Sequence, residues 1–173
     1  MSVSLRDARD SAEDRAWIRA VYRDYLTELS STRSGLFPAL GEWPSREVEF
    51  LAGWFNDAGA RPFVIVADGQ RAGFALVTRP PAFPRRTADY RMAEFWIAGP
   101  ARRRGVGASA AELLFTRFAG QWEVMEDEHN RGALAFWRRV IGRHCDGRYT
   151  EIRGAGEVCH RFDTAARPGV RPA

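Results

Sequence analysis

Apolar positions recur with two different periods along the chain, and this change predicts a domain that mixes helices and strands. Spacings of three and four residues predict helices, whereas continuous or alternating apolar runs bounded by glycine, proline or aspartate predict strands. By these criteria helices are expected at about 11–29, 45–59, 105–119 and 130–141. Strands are expected at about 4–6, 63–67, 72–77, 93–98, 122–125, 148–153 and 157–163.

The order of these elements, β-α-α-β-β-β-α-β-α-β-β, describes one mixed α/β domain. The helix between strands 93–98 and 122–125 is a crossover connection, which makes these two strands parallel neighbours. The segment 79–87 contains three prolines and is expected to be a loop. We expect the domain to cover residues 1–164 and to be followed by a flexible tail over 165–173.

The composition narrows the class of protein. The 173 residues suit one domain, and 45% apolar with 28% charged residues excludes a wholly disordered chain. No apolar run approaches a membrane span, the N-terminal residues lack a secretory pattern, and two cysteines cannot form a disulfide framework. We therefore expect a cytoplasmic protein that does not contact a membrane.

The positive charge comes from arginine alone. The net charge is +4, and all 26 basic residues are arginines. A basic chain raises the question of nucleic-acid binding. Most of these arginines are spread along the sequence, however, which makes nucleic acid the less favoured partner. The cluster Arg102–Arg104 is the exception.

This cluster opens a segment with the features of an anion site, Arg102-Arg-Arg-Gly105-Val-Gly107-Ala108. Glycines allow the backbone to approach a ligand closely, and successive N–H groups at a helix start bind phosphate. Arginines add charge-assisted hydrogen bonds. The segment therefore predicts a diphosphate site.

Two common phosphate motifs fit this segment less well. A P-loop needs a Gly-Lys-Ser/Thr sequence, and the chain has no lysine. Gly105-x-Gly107-x-x-Ala110, with Glu126 downstream, matches a dinucleotide fingerprint. In that fold the first glycine follows its strand almost directly, whereas six residues intervene here.

Two motifs in their observed order resemble the GNAT superfamily of acyl-CoA-dependent N-acyltransferases. They are Arg102-x-x-Gly105-x-Gly107 and Asn130-x-x-Ala133-x-x-Phe136-Trp137, and the element pattern agrees from about residue 3 to residue 163. The resemblance implies a single-domain α/β fold with a mixed, mostly antiparallel sheet of six to seven strands, about four flanking helices and a splayed pair of parallel strands. It implies acetyl-CoA as the acyl donor, no metal, and direct transfer to a primary amine of a small molecule or peptide.

The resemblance also assigns the donor site. The backbone of the strand would pair with the pantetheine arm, the loop amides would bind the diphosphate, and the asparagine would hydrogen-bond the arm. The residues implied are Phe95, Ile97, Arg102, Arg103, Arg104, Gly105, Val106, Gly107, Ala108, Asn130, Phe136 and Trp137.

Trp137 departs from the family pattern, because many members have at this position a tyrosine that protonates the departing thiolate. Indole N–H is a hydrogen-bond donor but not a usable acid. Either the thiolate leaves without a protein acid, or another residue such as Tyr149 or Tyr90 supplies the proton. Packing in the core is the alternative role for Trp137.

Glu94 is the predicted catalytic residue, as a general base or an anchor for the amine. It lies among apolar neighbours on the donor-binding strand, an unusual place for an unpaired charge. Strict alternation puts it with Trp96 on the face opposite Phe95 and Ile97, unless a bulge intervenes. An ion pair with one of the arginines is the alternative.

The acceptor is expected to contact Tyr22, Tyr25, Trp43 and Glu126. The aromatic residues would wall the pocket or, alternatively, only fix a loop in place, and Glu126 would attract a cationic substrate or simply be solvated. Two other functions remain open at this point: an acyl-CoA-binding or regulatory module without turnover, and a nucleic-acid-directed acetyltransferase. A homodimer is also left open.

Overall fold

The computed structural model describes residues 1–31, 51–78 and 88–165, and its strands form one sheet. The strands of this part of the chain are β1 (Val3–Asp7), β2 (Ala60–Ala67), β3 (Gln70–Thr78), β4 (Tyr90–Ile97), β5 (Gln121–Asp127), β6 (Tyr149–Gly154) and β7 (Glu157–Asp163). Its helices are α1 (Ala12–Ser31), α2 (residues 51–56), α3 (Val106–Arg117) and α4 (Arg131–His144), with short 3-10 turns at Ala8–Asp10 and Gly99–Ala101.

The sheet has the strand order β1-β2-β3-β4-β5-β7-β6. Neighbouring strands are antiparallel except for β4 and β5, which run parallel on either side of the α3 crossover. The predicted fold class is therefore confirmed. Some boundaries differ by three residues from the predicted ones. Strand β4 begins at Tyr90 instead of residue 93, and α4 ends at His144 instead of residue 141.

Several predicted features lie outside the described residues. They are the start of the second helix, the loop 79–87, and all of the predicted tail except residue 165. Within the described part of the chain, no helix is long and apolar enough to cross a membrane.

Helices cover both faces of the central strands, which divides the core into two. In β2, Phe63 and Ile65 pack toward α3 and α4, whereas Val64 and Val66 pack toward α1 and α2. This is why the strand has a continuous apolar sequence instead of an alternating one. In α3 the buried stripe is Val106, Ala110, Ala111, Leu114 and Phe115. Leu113, whose apolar side chain would suit an inward position, lies beside this stripe and is 40% exposed.

A β-bulge in β4 determines which side chains face which core. Leu76 of β3 is opposite Glu94, but the next residue, Val77, is opposite Met92, so Ala93 is an extra residue in β4. Met92 consequently shares the α3 and α4 side with Phe95. Beyond the bulge the strand alternates as predicted, and Trp96 packs on the α1 side.

The packing at Gly73 yields a stability prediction. A Cβ atom at Gly73 of β3 would lie 2.2 Å from the backbone oxygen of Trp96, whereas one at Gly53 of α2 would have no atom of a described residue within 4 Å. We expect Gly73→Ala to lower the free energy of unfolding by about 1–3 kcal/mol, because β3 and β4 must separate. Gly53→Ala should raise it by about 0.5–1 kcal/mol through helix propensity. Urea denaturation measures both, and a Gly73→Ala protein as stable as Gly53→Ala would contradict the packing described.

Candidate active site

The parallel strands β4 and β5 part after three residue pairs. Those pairs are Tyr90 with Trp122, Arg91 with Glu123, and Met92 with Val124. On the other side of β4, the N–H of Ala98 donates to the Ala72 oxygen at 2.9 Å. Because hydrogen-bonded positions alternate in an antiparallel pair, the backbone groups of Phe95 and Ile97 point away from β3 and into the gap. The predicted splayed pair is thus present.

The gap opens into a cavity of about 1220 Å³. Pockets for one drug-sized ligand are roughly 300–1,000 Å³, so this cavity has room for a long ligand and a second reactant. Its walls come from α1, β4, β5, the loop before α3, and α4. The predicted site residues that line it are Tyr25, Glu94, Phe95, Ile97, Arg102, Arg103, Gly105, Gly107, Ala108, Glu126, Asn130, Phe136 and Trp137.

Three other predicted residues do not line the cavity formed by the described residues, and a fourth is not among those residues. The Val106 side chain is buried in the core, and the Arg104 side chain is 60% exposed with Asp68 at 3.9 Å. Both were predicted to offer backbone N–H groups, which their side-chain positions do not affect. Arg104 was also predicted to add a charge-assisted hydrogen bond from its guanidinium, which instead lies near Asp68 and does not line the cavity. Tyr22 is 1% exposed and lies behind the cavity wall, its ring 5.5 Å from that of Tyr25. Trp43 lies outside the described residues.

The loop before α3 has the backbone conformation of an anion site. Arg103 and Gly105 have φ of 58° and 84°, both in the left-handed region, and they turn the chain into the helix that starts at Val106. The first N–H groups of an α-helix have no partner within the helix and carry partial positive charge. Gly107 lies in this first turn, and a Cβ there would be 3.3 Å from Ile97 and 3.4 Å from the Phe136 ring.

Arg102 turns back from this loop toward α1. Its Nε donates to the Ile97 backbone oxygen at 2.6 Å, and its Nη2 donates to Glu28. The same carboxylate accepts a hydrogen bond from Trp96 Nε1 at 3.2 Å. Glu28 therefore joins α1 to the end of β4. Sequence reasoning missed it, because a glutamate on an amphipathic helix carries no signal for a partner 74 residues away.

Glu94 lies between the gap and α1, where it accepts a hydrogen bond from the Tyr25 hydroxyl. Burial raises the pKa of the Glu94 carboxyl to about 7, although hydrogen bonds from Tyr25 and Tyr22 oppose the shift, and the Glu126 charge raises the pKa further. Within the described residues Glu94 forms no ion pair with an arginine. This placement favours the predicted chemical role over the ion-pair alternative.

A second carboxylate, Glu126, lines the cavity from the end of β5. Its Oε1 accepts hydrogen bonds from Asn130 Nδ2 at 3.0 Å and from the Asp127 N–H at 3.2 Å. Asn130 also caps α4, accepting from the Ala133 N–H at 3.2 Å. Burial is the main reason that the pKa of Glu126 is raised to about 7. Among the residues described, no three His, Cys, Asp or Glu side chains form a group that could hold a metal.

Aromatic rings form the wall beneath α4. The Phe95 ring lies 5.9 Å from that of Phe136 and 5.1 Å from that of Trp137. Trp137 is 4% exposed, so it belongs to the core as well as to the cavity wall. Neither Tyr90, whose ring packs 5.3 Å from that of Trp122, nor Tyr149, beside His160, lines the cavity formed by the described residues. Neither tyrosine is therefore placed to act as the missing acid.

Comparison with known proteins identifies the family and the fold. The model of the acetyltransferase (GNAT) family matches residues 12–142. Among curated proteins, none matches the sequence.

Similar solved structures include the acetyltransferase from Thermus thermophilus, with a TM-score of 0.67 and 16% identity over 94% of this chain and 97% of that chain. The ribosomal-protein-S18-alanine N-acetyltransferase from Escherichia coli has a TM-score of 0.60 and 13% identity over 98% and 99% of the two chains. The PaiA N-acetyltransferase from Thermoplasma acidophilum, in complex with coenzyme A, has a TM-score of 0.58 and 10% identity over 94% and 99%.

At such identities the structural neighbours establish a shared fold, and the family match spans most of the chain. The splayed strands, the glycine loop and the order of elements agree with both. The chain therefore belongs to the acetyltransferase (GNAT) family.

Proposed function

We propose that the protein is an acetyl-CoA-dependent N-acetyltransferase that moves the acetyl group directly to a primary amine. The observation that carries this proposal is the continuity of the cavity. The backbone of β4 that faces the gap, where Arg102 already binds the Ile97 oxygen, leads to the left-handed loop and the first turn of α3. A linear ligand with amides at one end and a diphosphate at the other matches that path.

The donor-binding part of the proposal rests on backbone chemistry. Unpaired N–H and C=O groups inside a sheet are costly unless a ligand satisfies them. The pantetheine arm would pair with Phe95 and Ile97 as an added strand does. The diphosphate would accept hydrogen bonds from the N–H groups of residues 103–108, with the Arg103 guanidinium nearby. Arg102 would act differently, since its side chain already binds Ile97 and Glu28.

The catalytic part of the proposal assigns Glu94 as the general base. An alkylamine with a pKa near 10 is neutral in about one molecule per thousand at pH 7, which costs roughly 4 kcal/mol of the barrier. The amine nitrogen would attack the thioester carbon, the C–S bond would break with its electron pair on sulfur, and the amine proton would pass to Glu94. A base with a pKa near the working pH is the most effective. The Ile97 N–H, in the gap, would polarise the carbonyl oxygen.

Trp137 stands at the position of the expected tyrosine acid for the leaving thiolate, and this favours one alternative function. A free thiol has a pKa of about 8.5, so the thiolate can leave as an anion. A module that binds acyl-CoA without turnover would nevertheless need no acid, and the replacement of a phenol by Trp137 is consistent with such a module. Thiol release from acetyl-CoA with a panel of amines separates the two: binding of the donor without release for any amine would favour the module.

The first prediction from this proposal concerns the glycine loop before α3. We expect Gly107→Glu to abolish acetyl-CoA binding in calorimetry, because a carboxylate would enter a wall where even a Cβ lies 3.3 Å from Ile97. Gly99→Glu is the matched control: Gly99 is exposed, does not line the cavity, and has open space around it. Normal binding by the Gly107→Glu protein would show that the assigned loop is wrong.

The second prediction concerns pH. With a weakly basic amine that stays neutral throughout, we expect kcat/KM to rise with pH and level off above a midpoint near 7, because the Glu94 carboxyl must lose its proton to act as a base. Glu94→Gln should lower kcat/KM by about 10²–10⁴-fold and remove the inflexion. A Glu94→Gln enzyme that keeps both its rate and its pH profile would rule out this assignment.

A further inference from the structure

Glu94 and Glu126, two of the carboxylates that line the cavity, lack the arginine partners that several other carboxylates in this chain have. Asp14 is bound by Arg6 and Arg71. Glu123 is bound by Arg91 and Arg161, and Glu151 by Arg138 and Arg153. Glu94 and Glu126 form no ion pair with any described arginine, although the chain has 26 arginines. Asp127, which is buried and also lines the cavity, pairs with His129 at 3.1 Å. Two guanidinium partners are therefore common for carboxylates elsewhere in the described chain, and Glu94 and Glu126 have none.

The basic residues that line the cavity do not supply the missing charge. Arg91 pairs with Glu123 at 3.0 Å, and Arg102 pairs with Glu28. Arg103 belongs to the glycine loop, and Arg139 is an exposed residue of α4. None of these four forms an ion pair with Glu94 or Glu126 among the described residues.

Each carboxylate is held in place by hydrogen bonds and can still accept one from a ligand, because a carboxylate oxygen has two lone pairs. Tyr25 binds Oε2 of Glu94 from the α1 side, and Tyr22 also hydrogen-bonds Glu94. Asn130 and the Asp127 N–H both bind Oε1 of Glu126, and its Oε2 accepts no hydrogen bond from a described residue. The two carboxylates come from the two strands that part at the gap, and they interact electrostatically. A ligand with two positive centres would satisfy both.

We propose that the acceptor is a primary amine that carries a second positive charge, such as a short aliphatic diamine, with the reacting nitrogen at Glu94 and the other nitrogen at Glu126. This inference rests on the proposed N-acetyltransferase function and adds the class of acceptor. A cation at each carboxylate replaces the arginine partners found elsewhere in the chain. A monoamine would leave one buried carboxylate without a partner, which is unfavourable.

The test compares the diamine putrescine with the monoamine butylamine, by calorimetry on the full chain saturated with coenzyme A. One charge-assisted hydrogen bond is worth about 1.5–3 kcal/mol, so putrescine should bind about 10–100-fold more tightly. Glu126→Gln should bring this ratio close to one. Glu128→Gln, the same change at an exposed residue outside the cavity lining, should leave the ratio as it is. Thermal unfolding and acetyl-CoA affinity of each variant report on its folding.

The outcomes separate this inference from the proposed function. Equal binding of the two amines, or the same ratio in the Glu126→Gln and Glu128→Gln proteins, would overturn the diamine assignment. Acetylation of both amines with equal kcat/KM would overturn it too, while leaving the N-acetyltransferase function intact. Tight, Glu126-dependent putrescine binding without thiol release from acetyl-CoA would support the two-carboxylate site and contradict turnover.

Discussion

The separation of β4 and β5 is the constraint on which the rest of the site depends. A parallel pair that stays hydrogen-bonded to its end would leave no room between Phe95 and the end of β5. Here pairing stops after Met92 and Val124, and the crossover through α3 must still connect the two strands. The loop before α3 therefore lies at the mouth of the gap, and β5 leads directly to the cap of α4. One opening in the sheet is therefore lined by the gap-facing backbone of β4, the glycine loop and the aromatic wall.

The parts of the site that could be predicted are those encoded in local spacing. The glycines from Arg102 to Gly107 predicted a loop and a helix start, and asparagine at position 130 is a favourable helix cap. Alternation along β4 predicted that Glu94 and Phe95 face opposite sides. The element order predicted the parallel pair, because two consecutive strands joined through a helix are usually parallel neighbours.

What could not be predicted depends on contacts between distant elements. The bulge at Ala93 moves Met92 to the side of Phe95, and its position is set by how β4 pairs with β3. Glu28 binds Arg102 and Trp96 only because α1 crosses the end of β4. Tyr22 was expected to contact the acceptor but lies behind Tyr25, since the buried stripe of α1 includes it. Sequence periodicity predicts that such residues are buried, but not which partner each of them meets.

The central claim is that the backbone on the open side of β4 binds the donor as an added strand. Amide hydrogen exchange of Phe95 and Ile97 tests it most directly, with Met92 and Val124, from the paired part of the strands, as internal references. Acetyl-CoA should slow exchange at Phe95 and Ile97, whereas a nucleotide fragment without the pantetheine arm should slow exchange only in the loop from Arg103 to Ala108. Unchanged exchange at Phe95 and Ile97 in the presence of saturating acetyl-CoA would contradict the account.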